Sequence, residues 1–370
     1  MPKKNYGFKP GHIKKLGKRR HWQHGDGLMS ATRMQGEDIF PNGHGQRNYL
    51  LDFEPQSVPG RFDSMGCFCY GTAKAFGTYI KRVYPGCLDT ISKRFPFILS
   101  GGSQQGGSPH YACEIFRTKG WIRNSLLNIS TCNSWFDWAK PKPMTSEFLN
   151  EGLTRTRYWV FHHDWLFSGS YMSRIIKRIG AWFVQDMSGA SWKANLIKDN
   201  LRNYVLAVSV NPNDSSYSSH GIVTKIPGSQ DTHWLQVFEY EDGRFIEGYD
   251  DYEYNKFIKF AWDYDFGYCK RIWIERKDDV IADDAKYIIN TMIAKNVKGD
   301  LDNTVYFIFN GEKLSYPSMD VFNEIQDRWN NGDKTIITVA QEPLDAIPVG
   351  SPRSIIDIEN AQVFFTPDKP

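Results

Sequence analysis

The stretch FDSMGCFCYGTAKAF (Phe62–Phe76) sets two cysteines one residue apart at the head of a predicted helix, about 64–82. Asp63 and Ser64 are good N-cap residues. Behind them, Gly71, Ala73, Ala75 and Gly77 interleave with Phe68, Tyr70, Phe76 and Tyr79. Glycine is a poor helix former, so so many small residues make sense in a helix that other elements press closely. A thiol in the first turn feels the positive end of the helix dipole, which favours thiolate. A free cysteine is more often a small buried hydrophobe, and the rest of the chain must decide between the two.

The chain has 370 residues, 41% of them hydrophobic and 15% aromatic, enough for a substantial core and incompatible with global disorder. The 12 Trp, 19 Tyr and 24 Phe are read as core packing before any carbohydrate or peptide platform. No run approaches ~18 uninterrupted apolar residues, so no membrane-spanning segment is expected. The N-terminus lacks an apolar signal region, so the chain is expected to be made in the cytoplasm without a signal peptide. Cys67, Cys69, Cys87, Cys113, Cys132 and Cys269 form no CxxC pair and no Cys/His zinc spacing. They are read as reduced thiols, with no metal and no cofactor expected.

The net charge of +3 is unevenly spread. Residues 1–48 carry ten Lys/Arg against three Asp/Glu, a net +7, which leaves −4 for the rest. KKLGKRR, with Lys14, Lys15, Lys18, Arg19 and Arg20, sits among glycines and histidines. Residues 1–48 therefore read as a basic extended arm suited to nucleic acid or an acidic protein surface.

Beyond the arm, SGGSQQGGSPH (Ser100–His110) is a Gly/Ser loop, and Ser108 with Pro109 at N1 opens a helix over 109–119 that Gly120 stops. Residues 121–170 read as irregular and aromatic-anchored. SYMSRIIKRIGAWF and SWKANLIKDNLRN read as helices. YVLAVSVNP alternates like a strand, the run from His233 to Asn255 is a hairpin turning at Asp242-Gly243, and YCKRIWIER is another strand. Helices first and strands after suggest an α+β domain of two lobes over 49–277. Residues 278–370 read as a linking helix and a small β-β-α-β module turning at Asn310-Gly311.

A cysteine nucleophile needs a base, a group that orients the base, and oxyanion donors. His233 opens a strand, and the same hairpin carries Asp250 and Asp251 on its far side, so base and orienter meet without any long-range assumption. His110, His162, His163 and His220 are the other histidines beyond the arm.

These pieces resemble the papain-like cysteine peptidases. Cys67-Phe68-Cys69-Tyr70-Gly71-Thr72 resembles the family's helix start, and Asp63-Ser64-Met65-Gly66-Cys67 resembles the form encoded by tailed bacteriophages. GGSPHYACEIFRTKGWI, VLAVSVNP, THWLQVF, GYDDYEYN and FGYCKRIWIE follow in the family's order across about residues 50–277. The resemblance implies a papain-like two-lobe fold, with a helical lobe and a β-rich lobe. It implies Cys67 as nucleophile, His233 as base and acid, Asp250 as orienter with Asp251 as rival, and Gln56 with the Cys67 backbone N–H as oxyanion donors. Cys69 then takes the place of a small buried residue. It also implies a peptide or protein substrate and a virion-associated tail or particle component. The alternative is an inactive structural virion protein on the same scaffold, its arm holding other virion proteins or nucleic acid. Three departures stand out. Gln56 lies eleven residues before Cys67 where papain spaces the pair by six, Trp234 follows His233 where a small residue is usual, and the basic arm does not resemble the family's helical pro-segment.

Overall fold

Helix α1 (Cys67–Val83) is buried at every position from Cys67 to Ile80. Its small residues let strands approach the backbone. At Gly71 an added Cβ would sit 2.9 Å from both the Leu235 Cα and the Trp234 carbonyl oxygen, neither of which can swing away. The computed structural model describes residues 40, 44–83, 91–139, 144–168, 191–215, 217, 221–252, 257–292, 295–309, 311–329 and 332–350. The chain divides into two compact units, residues 1–156 with 160–275 and residues 157–159 with 276–370.

In the first unit, β1 (Ser57–Val58) and β2 (Phe62–Asp63) precede α1. Helices α2 (Arg94–Leu99), α3 (Pro109–Lys119), α4 (Trp135–Ala139) and α5 (Ser146–Tyr158) follow. Then come β3 (Trp159–Ser168), α6 (Ser191–Asn200), β4 (Val205–Val210), β5 (Ile222–Val223), β6 (His233–Glu241), β7 (Phe245–Tyr249), β8 (Phe257–Ala261) and β9 (Tyr268–Arg276). The seven strands from β3 to β9 form one sheet in the order β3-β9-β4-β6-β7-β8-β5. Helix α1 packs on β4 and β6. Phe68, Cys69, Phe97, Ala112 and Trp138 form a helical core beside it, and Leu206, Val208, Leu235, Val237 and Ile246 belong to the core of the sheet. The mixed α+β architecture matches the expected fold class.

Several expectations need correction. Residues 121–170 are largely regular, holding α4, α5 and the ten-residue β3. Strand β3 is buried at most positions on both faces, which removes the alternation that would mark it. Strand β8 was not expected. The end of the supposed arm is packed, not extended. Phe40 is buried and its N–H reaches the Arg202 carbonyl. Gln46 is buried, with its amide on the Leu201 and Tyr204 carbonyls. Arg47 pairs with Glu239 and Glu247 and lies over the Phe238 and Phe257 rings. Charge count alone hid these anchors. Lys14, Lys15, Lys18, Arg19 and Arg20, Cys87, all of SYMSRIIKRIGAWF and His220 lie outside the described residues.

The second unit holds α7 (Asp278–Thr291), β10 (Asn296–Gly299), β11 (Val305–Phe309), β12 (Glu312–Ser315), α8 (Met319–Trp329), β13 (Ile337–Val339) and α9 (Gln341–Ala346). Its sheet runs β12-β11-β10-β13, with β10 antiparallel to β11 and parallel to β13. The module is thus β-β-β-α-β where β-β-α-β was expected. Strand β10 lay hidden at the end of the linking-helix run, where four residues give too short a pattern to separate from a helix. No described helix is long and apolar enough to cross a membrane.

Candidate active site

Cys67 is the first residue of α1, and the chain enters it through a tight turn. The Asp63 carboxylate accepts the Met65 N–H at 2.7 Å, and the Ser64 hydroxyl accepts the Gly66 N–H at 3.2 Å. Met65 has φ 54°, the one non-glycine in the left-handed region among the described residues. Such a residue costs on the order of 1–3 kcal/mol and persists where its surroundings over-determine it. The Gly66 carbonyl then accepts the Cys69 and Tyr70 N–H groups. Asp63 and Ser64 therefore close the turn before the helix and are not its N-cap, because α1 begins at Cys67 where the sequence suggested about 64.

The Cys67 thiol is fully buried. Burial pushes its pKa well above the ordinary value, opposed by the Trp234 N–H directed at the sulfur and reinforced by the charges of Asp63 and Asp250. This corrects the expectation of a dipole-favoured thiolate. The dipole acts at the helix end, but loss of water outweighs it.

His233, the first residue of β6, is 1% exposed and lies 2.8 Å through Nε2 from Asp250 Oδ1. With Nε2–H donating to the carboxylate, Nδ1 is the nitrogen suited to take a proton. Asp250 is held in turn, accepting the Tyr217 hydroxyl on Oδ2 at 2.8 Å and the Tyr252 N–H on Oδ1 at 3.1 Å. The Tyr217 and Tyr252 rings stand edge-on to the imidazole, with centroids 6.5 and 6.0 Å away. Sequence reasoning passed over both tyrosines. Tyr217 sits in the serine-rich loop before His220, where no periodicity or motif marks it.

The neighbour of Asp250 has a different partner. Asp251 Oδ1 meets Lys74 Nζ at 3.0 Å and accepts the Glu54 N–H at 3.2 Å. Both carboxylates are buried, and it is Asp250 that bonds the imidazole.

Gln56 reaches the same neighbourhood by a device that explains its spacing. The residues between Gln56 and Phe62 fold into the β1–β2 hairpin, paired Ser57 with Asp63 and Val58 with Phe62, with Gly60 at φ 72° in the turn. The extra length is looped out. Gln56 ends beside the entry to α1, its carbonyl accepting the Ser64 N–H at 3.1 Å and its Nε2 lying 3.5 Å from Asp63 Oδ1. Trp234 does not stand beside His233 on the same face. Its buried indole packs at Gly71 and donates to Thr72 Oγ1 at 3.2 Å, on the α1 side of the sheet.

A second histidine cluster lies on α3 and β3. His110 and Glu114, four residues apart on one helix face, and His163 place donor atoms within 4.8 Å of one another. Two cations are already engaged there. Lys270 Nζ meets His163 Nδ1 at 2.8 Å, and Arg117 pairs with Glu114 at 2.5 Å. His163 Nε2 lies 2.8 Å from Glu114 Oε1. Burial and the Lys270 charge lower His163 to about 4 against the pull of Glu114, so it is neutral, donating to Glu114 and accepting from Lys270. A metal ion here would displace one bond and face two positive charges, so the trio fits a hydrogen-bonded chain better than a metal centre.

No protein-family model matches the chain, and no curated protein matches it by sequence. Solved structures to which it is similar include the bromelain protease of Ananas comosus in complex with the E64 inhibitor, at 12% identity and a TM-score of 0.40, covering 62% of this chain and 96% of that one. The proform of the Amb a 11 cysteine protease, a ragweed pollen allergen, is 12% identical at a TM-score of 0.47, covering 73% and 76%. Digestive procathepsin L 3 from Tenebrio molitor larval midgut is 11% identical at 0.39, covering 64% and 77%.

Proposed function

We propose that the chain is a cysteine peptidase of the papain-like kind. The observation that carries this reading is the buried His233–Asp250 hydrogen bond, one residue from the Trp234 N–H that meets the Cys67 sulfur. In the proposed reaction His233 Nδ1 takes the Cys67 proton as the sulfur attacks a peptide carbonyl. Asp250 stabilises the imidazolium through Nε2–H. The oxyanion takes hydrogen bonds from the Cys67 N–H and, once its amide turns from Asp63, from Gln56. The C–N bond breaks as Nδ1–H protonates the leaving amine. Water, losing its proton to His233, then attacks the thioester. The carboxylic acid leaves, the C–S bond breaks, and the proton returns to the sulfur.

The finer reading follows the Asp63–Cys67 stretch and its resemblance to phage-encoded forms. It makes the protein a virion component of a tailed phage, with the basic run Lys14–Arg20 bound to another virion protein or to nucleic acid. A second reading, a scaffold that performs no chemistry, is favoured by one observation. Cys67 and His233 are 0% and 1% exposed, and burial holds the thiol protonated at rest.

An epoxysuccinyl inhibitor separates the two without a known substrate. A peptidase is modified at Cys67 alone, and His233→Ala removes the modification. If Cys67 reacts no faster than Cys69, which is equally buried, the peptidase reading fails and the scaffold reading stands.

A further inference from the structure

Lys74 lies two turns after Cys67 on α1, on the same helix face, and is buried. A lone buried ammonium is costly, so its surroundings define its purpose. Its Nζ donates to the Leu51 carbonyl at 3.2 Å and to the Asp52 carbonyl, pairs with Asp251 Oδ1 at 3.0 Å, and stands 4.2 Å over the Tyr249 ring. Asp251 passes the grip on, its carboxylate holding the Glu54 N–H and its carbonyl accepting the Gln56 N–H at 3.1 Å. Lys93, also buried, pairs with Glu54.

One ammonium therefore ties together three segments. These are the helix that begins at Cys67, the strand end and turn that carry Asp250, and the extended run that ends at Gln56. The segments are far apart in sequence, and each carries one part of the proposed catalytic set.

We propose that Lys74 is a positioning residue for the reaction proposed above, an inference that rests on that reading, acting through Asp251 to hold Asp250 against His233 and Gln56 beside Cys67. Lys74 touches no reacting atom in this scheme. The groups that face it are Asp251, Glu54, Lys93 and Tyr249. Burial lowers Lys74 to about 8 against the pull of Asp251, so the grip weakens as the pH rises through that value.

The test uses the full chain and two readouts. One is the rate of Cys67 modification by iodoacetamide. The other is the downfield proton resonance of the His233–Asp250 hydrogen bond, which exists whether or not the thiol is reactive. Lys74→Met is expected to slow modification between about 10- and 100-fold and to shift or broaden the resonance. In the wild type both readouts change near pH 8, and in Lys74→Met that change is gone. Asp251→Asn, which keeps the volume and removes the charge, should reproduce the effect, and the double variant should be no worse than the worse single. If Lys74→Met does not fold, Asp251→Asn alone decides. A folded variant with the wild-type resonance overturns the proposal. A wild-type Cys67 that reacts no faster than Cys69 overturns the peptidase reading instead, and the resonance still decides whether Lys74 positions the pair.

Discussion

Two buried histidines in the first unit each meet a carboxylate at 2.8 Å, His233 with Asp250 and His163 with Glu114. Around them the surroundings diverge. At His163 the second ring nitrogen meets the Lys270 ammonium, and Glu114 is shared with Arg117. Proton exchange there would break a bond to a cation. At His233 the carboxylate is held by Tyr217 and Tyr252, both uncharged, and the amide of the next residue meets the Cys67 thiol. A histidine–carboxylate contact is thus as compatible with a locked structural chain as with a catalytic pair. The charge of the groups that hold each pair separates them, two cations at His163–Glu114 and neutral donors at Asp250.

The largest expected effect tests that separation directly. His233→Ala should reduce Cys67 alkylation by about 10³-fold if the proposed base acts as a unit with the proposed nucleophile. His163→Asn should leave it within about threefold, since no acid–base role is assigned to it. Measuring both rates on one preparation tests the comparison, and equal losses would break it.

A smaller effect sharpens the role of Asp250. Asp250→Ala removes the acceptor and should slow alkylation by about 10²-fold, whereas Asp250→Asn keeps an oxygen that can accept Nε2–H and should slow it less. Glu114→Ala and Glu114→Gln should not differ in this assay. If Asp250→Asn is as slow as Asp250→Ala, the carboxylate charge matters beyond orientation.

The smallest effect belongs to the other pair and reads out in stability. His163 falls from its ordinary 6.5 to about 4 through burial and Lys270. Glu114, despite burial, is held well below the usual carboxylate range by His163 and Arg117. The unfolded chain therefore binds more protons than the fold between pH 6.5 and 4, and stability falls as the pH falls through that window. The loss assignable to His163 is roughly 2–3 kcal/mol. His163→Phe should flatten the acid limb of a denaturation midpoint plotted against pH, and an unchanged limb would place the acid sensitivity elsewhere.

Much of the scaffold around the candidate site is local and was legible. Pro109 at the first position and Gly120, with φ 70°, bound α3, because fixed φ and freedom at positive φ are properties of single residues; Ser108 stands at the N-cap without a side-chain capping bond. Asp242-Gly243 sets the β6–β7 turn, and its register carries His233 toward Asp250 across one hairpin. Strands β3 and β8 escaped notice because burial of β3 on both faces erased its alternation and β8 is only five residues long.

The sequence by itself determined the α+β class, the position of Cys67 at a helix head, and the placement of a strand-start histidine with acids on its own hairpin. These follow from dihedral preference and register, which act over a few residues. Only the tertiary structure decided that Asp250 bonds the imidazole while Asp251 turns to Lys74, and that Tyr217 closes the second oxygen of Asp250. It also decided that the β1–β2 hairpin returns Gln56 to the entry of α1, and that the thiol is buried rather than poised as thiolate. Each depends on which distant segment excludes water from a charge or a thiol, and desolvation is set by neighbours in space that no local pattern encodes.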